Sequence, residues 1–193
     1  MKNNYSEMIN ELTDKELIRH LYLTQIILLV LSLGLSLFLF EGFTYWQQFN
    51  LVDIHIVTIG LSAGLMVVII DFLFTKWLPS SYYDDGGLNE RIFRHQSVFH
   101  IFVMTLFVAF SEEMLFRGII QTKMGLILSC IIFAVVHYRY LFNWFLFINI
   151  VLLSFLIGFI FAWTDNLAVT IVMHFVIDFF SGIQIKWKNT NKD

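Results

Sequence analysis

The chain has 193 residues, 58% of them apolar and 18% aromatic, with only 14% charged, a formal net charge of −3 and a mean hydropathy of +0.74. A soluble domain carries about a quarter charged residues, so the composition excludes an ordinary soluble fold and specifies an all-α integral membrane protein. No basic stripe is present to attract nucleic acid, and the single cysteine, Cys130, excludes an intramolecular disulfide framework and any multi-cysteine metal site.

Residues 1–20 form a polar lead-in without the apolar segment and small-residue cleavage site of a removable signal peptide. Thr13 and Glu16 have the spacing of a capping box and predict that a helix starts there. Leu21–Phe40 is an apolar run long enough to cross a bilayer, and Leu51–Phe74 is a second, with Asp53, His55 and Asp71 near its ends. Pro79, Ser80, Ser81, Asp84, Asp85, Gly86 and Gly87 mark the main loop. A third span is expected over about 97–121, a fourth from the break at Gly125 to about Tyr140, a fifth over Asn143–Trp163 and a sixth over Asn166–Ile185, before a polar tail at 186–193. The whole reads as a single bundle of about six transmembrane helices over 21–185, enclosing a polar intramembrane cavity. With the N-terminus cytoplasmic, ten of the 12 Lys and Arg residues fall on the inside, Lys123 and Arg117 being the exceptions, so both termini are expected in the cytoplasm of a cell membrane.

The chemistry concentrates in the third span, where Glu112, Glu113 and Arg117 interrupt an apolar sequence. Each ionisable group near the middle of a span costs roughly 2.5–3.5 kcal/mol on insertion scales, so the group must be paired or functional. Glu113 and Arg117, four apart with the acid first, share a helix face and form an ion pair. Glu112 projects about 100° away and needs a partner on another helix. His137 in the fourth span and His174 with Asp178, also four apart, in the sixth supply the remaining intramembrane polar groups. Their burial is least costly if all converge on one hydrated cavity.

A glutamate and two histidines around a water can hydrolyse a peptide bond with the carboxylate as base. The alternative is a zinc ion held by His137, His174 and either Glu112 or Asp178, although the short HExxH spacing is absent. The same cluster also suits a non-catalytic immunity or scaffold protein that binds a partner. Ser111 and Cys130 are expected to be packing residues. One difficulty is depth. Counted from Ser97, Glu112 lies roughly 22 Å along its helix, whereas His137 lies a turn or two from the inner end of the next, so a tilted third span is needed to bring them together.

Glu112-Glu113 with Arg117, Phe133 with His137, and His174 with Asp178 resemble, in order, the three motifs of the CPBP family, which comprises type II CAAX prenyl endopeptidases and bacteriocin-processing or Abi-like membrane proteins. The resembling core spans about 97–185. It implies an intramembrane glutamate protease. With the candidate ligands on three helices and no short zinc spacing among them, it is expected to act without a cofactor, on a peptide or lipid-anchored protein in the lipid bilayer. Glu112 and His137 would activate water, His174 and the residue at 178 would stabilise the oxyanion, and Glu113 and Arg117 would support the site. In that family the last motif often ends in asparagine, whereas an ionised Asp178 accepts hydrogen bonds and cannot donate to an oxyanion.

Overall fold

The computed structural model describes residues 11–190. Lys2 and most of the lead-in, and Lys192 with the end of the tail, lie outside the described residues. Helix α1 covers Asp14–Leu39 and starts at the capping box: the Glu16 N–H donates to Thr13 Oγ1 at 3.3 Å, and the Thr13 N–H donates to a Glu16 carboxylate oxygen at 2.7 Å. Helix α2 covers Ile56–Trp77, beginning with a π-helical turn at Ile56–Leu61. The Pro79 loop contains the short helix α3, Leu88–Phe93. Helix α4 covers Val98–Met124 and includes a π-helical turn at Phe116–Gln121. Helix α5 covers Leu126–Val136, α6 Trp144–Thr164 and α7 Leu167–Thr190. There is no strand among the described residues.

Five of these helices, α1, α2, α4, α6 and α7, are long and apolar enough to cross a membrane. The chain is an all-α integral membrane protein. The expected fourth span is shorter than predicted: α5 has 11 residues, about 16 Å of helix, and ends at His137, whose φ of −86° and ψ of 34° leave the helical region. The His137 ring itself bonds the Phe133 carbonyl, and Tyr138–Phe142 continues as a tight 3₁₀ turn. Three of the five residues of that turn are aromatic, which makes the sequence read as further span after the α-helix has stopped. Helix α7 continues through residues 186–190, so the polar segment expected after the last span is helical over those residues.

Helices α4 and α7 form the centre. Within their most apolar stretches 50% and 56% of residues are buried, against 17%, 11% and 28% in α1, α2 and α6, and these two helices carry the buried ionisable side chains Glu112, Glu113, Arg117 and His174. Small residues allow the close contacts. Gly60 and Gly64, four apart on α2, lie against the α7 backbone; a Cβ at Gly60 would stand 2.5 Å from the Val169 carbonyl oxygen, and one at Gly64 3.0 Å from that of Met173. Tyr45, in the loop after α1, folds back into the bundle, where its hydroxyl donates to the Met114 carbonyl and accepts from Ser32, both at 3.0 Å. At the turn between α6 and α7, the Asn166 amide donates to the Asn50 carbonyl and to Asp53. The His55 backbone N–H, followed by the Asn166 amide, holds the Asp53 carboxyl below the usual carboxylate range.

Gly60→Ala forces α2 away from α7 and is expected to destabilise the detergent-solubilised protein by about 1–3 kcal/mol. Gly34→Ala on α1, where an added Cβ meets nothing within 4 Å, is expected to leave the melting temperature unchanged or raise it. Parallel thermal melts check both.

Candidate active site

The polar residues of α4 face in two directions. Glu113 is fully buried. Its Oε2 pairs with Arg117 Nε at 3.4 Å, one helical turn on, and its Oε1 lies 2.9 Å from His174 Nδ1 on α7. The Arg117 contact joins the charges without the alignment of a good hydrogen bond. The guanidinium donates to the Ser154 carbonyl on α6 at 3.2 Å and lies over the Phe133 ring of α5, 4.8 Å from its centroid. Arg117 thus ties α4 to both neighbours. It sits in the π-helical turn, the kind of local widening that proteins place at functional sites.

His174 has a carboxylate at each ring nitrogen. Asp178 Oδ2 lies 3.4 Å from Nε2, and Glu113 occupies the other side. Both nitrogens are therefore positions for N–H donors. A ring donating at both carries one positive charge, so that Glu113, Asp178, Arg117 and His174 together sum to no net charge, the arrangement a buried cluster requires. Glu113 therefore serves His174 as well as the Arg117 partner that its helical spacing predicts.

Glu112 points to the other side of α4. One of its oxygens, Oε2, stands 4.0 Å from His137 Nε2, and the other, Oε1, accepts from the Gln25 amide of α1 at 3.2 Å. Gln25 Oε1 in turn accepts from the Ser111 hydroxyl at 2.6 Å. His137 Nδ1 donates to the Phe133 carbonyl at 2.9 Å, which leaves the lone pair of a neutral ring at Nε2, facing Glu112. The ring is stacked on Phe133 with centroids 4.3 Å apart. A water at about 2.8 Å from each of two acceptors 4.0 Å apart spans an angle of roughly 90°, close to its own bond angle, so the Glu112–His137 gap fits one water donating to both. Side-chain exposure rises from 8% at Glu112 through 18% at His137 to 32% at Asp178, which locates the opening.

The depth difficulty is resolved by the short α5. Helices α4 and α5 form a hairpin about Gly125, whose φ of +84° favours glycine. Glu112 lies thirteen residues before Gly125 and His137 twelve after it, both about 18–20 Å from the turn. Phe116 and Phe133, nine before and eight after, meet edge-on with centroids 4.9 Å apart. Among the described residues no three His, Cys, Asp or Glu side chains are grouped as a metal ion would require. Cys130 and Ser111 are both buried. Gln25, an uncharged residue in an apolar run, gave no signal in the sequence.

An apolar groove of about 290 Å³ lies beside the site between α5 and α6, lined by Cys130, Ala134, Tyr138, Phe147, Val151 and Phe155 among others. Two of its lining residues, Ala134 and Tyr138, lie on either side of His137 in sequence.

The type II CAAX prenyl endopeptidase Rce1-like family profile matches residues 94–180, a stretch that contains every motif residue above. A Bacillus subtilis (strain 168) protein, "Uncharacterized protein YpbD", is 40% identical over 172 residues, covering 89% of this chain and 91% of its own length. The "UPF0177 protein YxdF" of Lactococcus lactis subsp. lactis (strain IL1403) is 26% identical over 140 residues, covering 70% of this chain and 76% of its own. No solved structure matches.

Glu113→Gln leaves the buried Arg117 without its carboxylate and is expected to destabilise the protein by about 3–5 kcal/mol, read as a fall in melting temperature and yield. The double variant Glu113→Gln/Arg117→Met is expected to recover part of that loss, since it removes both charges at once.

Proposed function

We infer, because the chain belongs to the type II CAAX prenyl endopeptidase Rce1-like family, that it is an intramembrane peptidase in which Glu112 is the general base. The observation that carries this reading is the Glu112–His137 gap, sized for one water between two acceptors. The water oxygen attacks the scissile carbonyl carbon while its proton passes to Glu112. The carbonyl electrons move to oxygen. On collapse of the tetrahedral intermediate, the C–N bond breaks and the proton held by Glu112 passes to the departing amine, giving a carboxylic acid and an amine, which then exchange a proton to become carboxylate and ammonium. His137 orients the water through Nε2, its ring being fixed by the Phe133 carbonyl.

His174 is assigned to the oxyanion. Its Nε2 contact with Asp178 is long, at 3.4 Å, and is the more exposed of its two carboxylate contacts, so a substrate oxygen can displace it while Glu113 keeps the ring in place. Asp178 then orients and balances the ring and makes no donation of its own. The reaction is assigned without a metal: each histidine has a partner that suits acid–base or oxyanion work, and the four candidate ligands Glu112, His137, His174 and Asp178 divide into two separate contacts. The substrate is assigned as a peptide on a lipid-anchored protein, its chain lying in the α5–α6 groove so that the adjoining peptide reaches His137. The site opens toward the side assigned as cytoplasmic.

Glu112→Gln preserves shape and removes the base. It is expected to abolish cleavage of farnesylated, fluorophore-quenched CAAX peptides in proteoliposomes, while the variant inserts and melts like the parent; retained cleavage would overturn the assignment. Val151→Trp, which fills the groove, is expected to raise KM for the farnesylated peptide several-fold with kcat kept, and an unlipidated control peptide distinguishes groove occupancy from general damage. Purified active protein is expected to hold no stoichiometric zinc and to keep its activity in strong chelator; one zinc per chain, lost in His174→Ala, would establish the metal mechanism instead.

A further inference from the structure

We propose that Gln25 is a positioning residue for Glu112, so that α1, outside the family-matched stretch, helps to set the geometry of the reaction. The proposal rests on the peptidase reading for its effect on rate, and on geometry alone for its effect on Glu112.

Gln25 is 6% exposed and lies within an apolar helix, where an amide without partners is costly. Both ends of the amide are used on α4, the nitrogen on Glu112 and the oxygen on Ser111, which is fully buried. The Glu112 contact decides which way the amide points. A carboxylate only accepts, so the NH₂ group faces Glu112 and Oε1 is left to the Ser111 hydroxyl, which at 2.6 Å is nearer to it than to the Phe107 and Val108 carbonyls that the hydroxyl also reaches. The terminal torsion of a glutamate is broad and close to two-fold, so a carboxylate held at neither oxygen samples many planes. Holding Oε1 selects one plane and leaves Oε2 toward His137, the pairing that the water requires. Ser111, Gln25, Glu112 and His137 form a chain in which each group constrains the next. Ser111 is therefore part of the device and is assigned no nucleophilic step.

The test is Gln25→Met, which keeps the length and removes both polar atoms. Kinetics with the farnesylated quenched peptide are expected to show kcat reduced by about ten- to a hundred-fold with KM within about two-fold, the pattern of lost alignment in the reacting complex. The infrared carboxylate stretch of Glu112, isolated by subtracting the spectrum of a matched Glu112→Gln protein in each background, is expected to shift in Gln25→Met. Ser111→Ala is expected to move the band and kcat in the same direction by less, and to add nothing when combined with Gln25→Met. An unchanged Glu112 band in a folded Gln25→Met protein would overturn the proposal, as would additive losses in the double variant. If the parent protein cleaves no peptide, the peptidase reading fails while the infrared band still decides the role of Gln25. If Gln25→Met does not accumulate, Ser111→Ala supplies the same readout without altering α1.

Discussion

The fully buried Glu113 carboxylate stands between two nitrogen groups, Arg117 on its own helix and His174 on α7, and this bridge fixes the α4–α7 pair around which the other helices pack. A carboxylate in such a place loses its hydration, and the attraction of its partners offsets that loss only when their geometry is maintained. The bridge therefore specifies more than it stabilises. A slip of α7 along α4 by one turn, about 5.4 Å, would strand Glu113 with Arg117 alone and leave His174 with only the Asp178 of its own helix. Arg117 extends the constraint to α6 through Ser154 and to α5 through Phe133. The register of four helices is tied to one acid.

With that register set, the neighbouring glutamate is free for chemistry. Adjacent positions on a helix diverge by about 100°, so Glu113 can be committed to structure while Glu112 faces a different neighbour. The division extends to the histidines. His174 lies between two carboxylates as part of the neutralised cluster, whereas His137 bonds a backbone carbonyl and presents an unoccupied nitrogen to Glu112. In the proposed reaction this difference is why His137 is assigned to the water and His174 to the substrate oxygen.

The local half of this arrangement is legible in the sequence and the remote half is not. Glu113–Arg117 and His174–Asp178 are four apart, and helical periodicity alone brings them together at 3.4 Å in each case. The need of Glu112 for a remote partner follows from the same periodicity, but the identity of Gln25 does not. Hydropathy registers an amide in an apolar run as a small dip, and nothing local shows that it reaches across 87 positions. Gly60 and Gly64 are a similar case: their spacing matches a small-residue packing motif, yet which helix they meet depends on how the chain closes. The length of α5 was obscured because Tyr138–Phe142 is aromatic enough to read as more span, while a side-chain bond from His137 to the preceding turn accompanies the end of the helix.

The depth of the site illustrates why the frame of reference matters in a membrane bundle. Measured from the ends of their spans nearest Ser97 and Tyr140, Glu112 and His137 are far apart, because α5 stops short and its end is recessed. Measured from Gly125, the turn that the two helices share, they are level to within one residue. The hairpin is the covalent ruler, and the far ends vary with loop structure. The recess at the end of α5 is in turn closed by the loop after α2: Asn143 donates to the Ser81 and Asp84 carbonyls, and Arg139 to Asn89. The Pro79 loop, which carries none of the motif residues, thus packs over the turn that follows His137. The helix holds the His137 ring directly, through the carbonyl and the ring of Phe133, and the loop supports it at one remove, through the turn that follows.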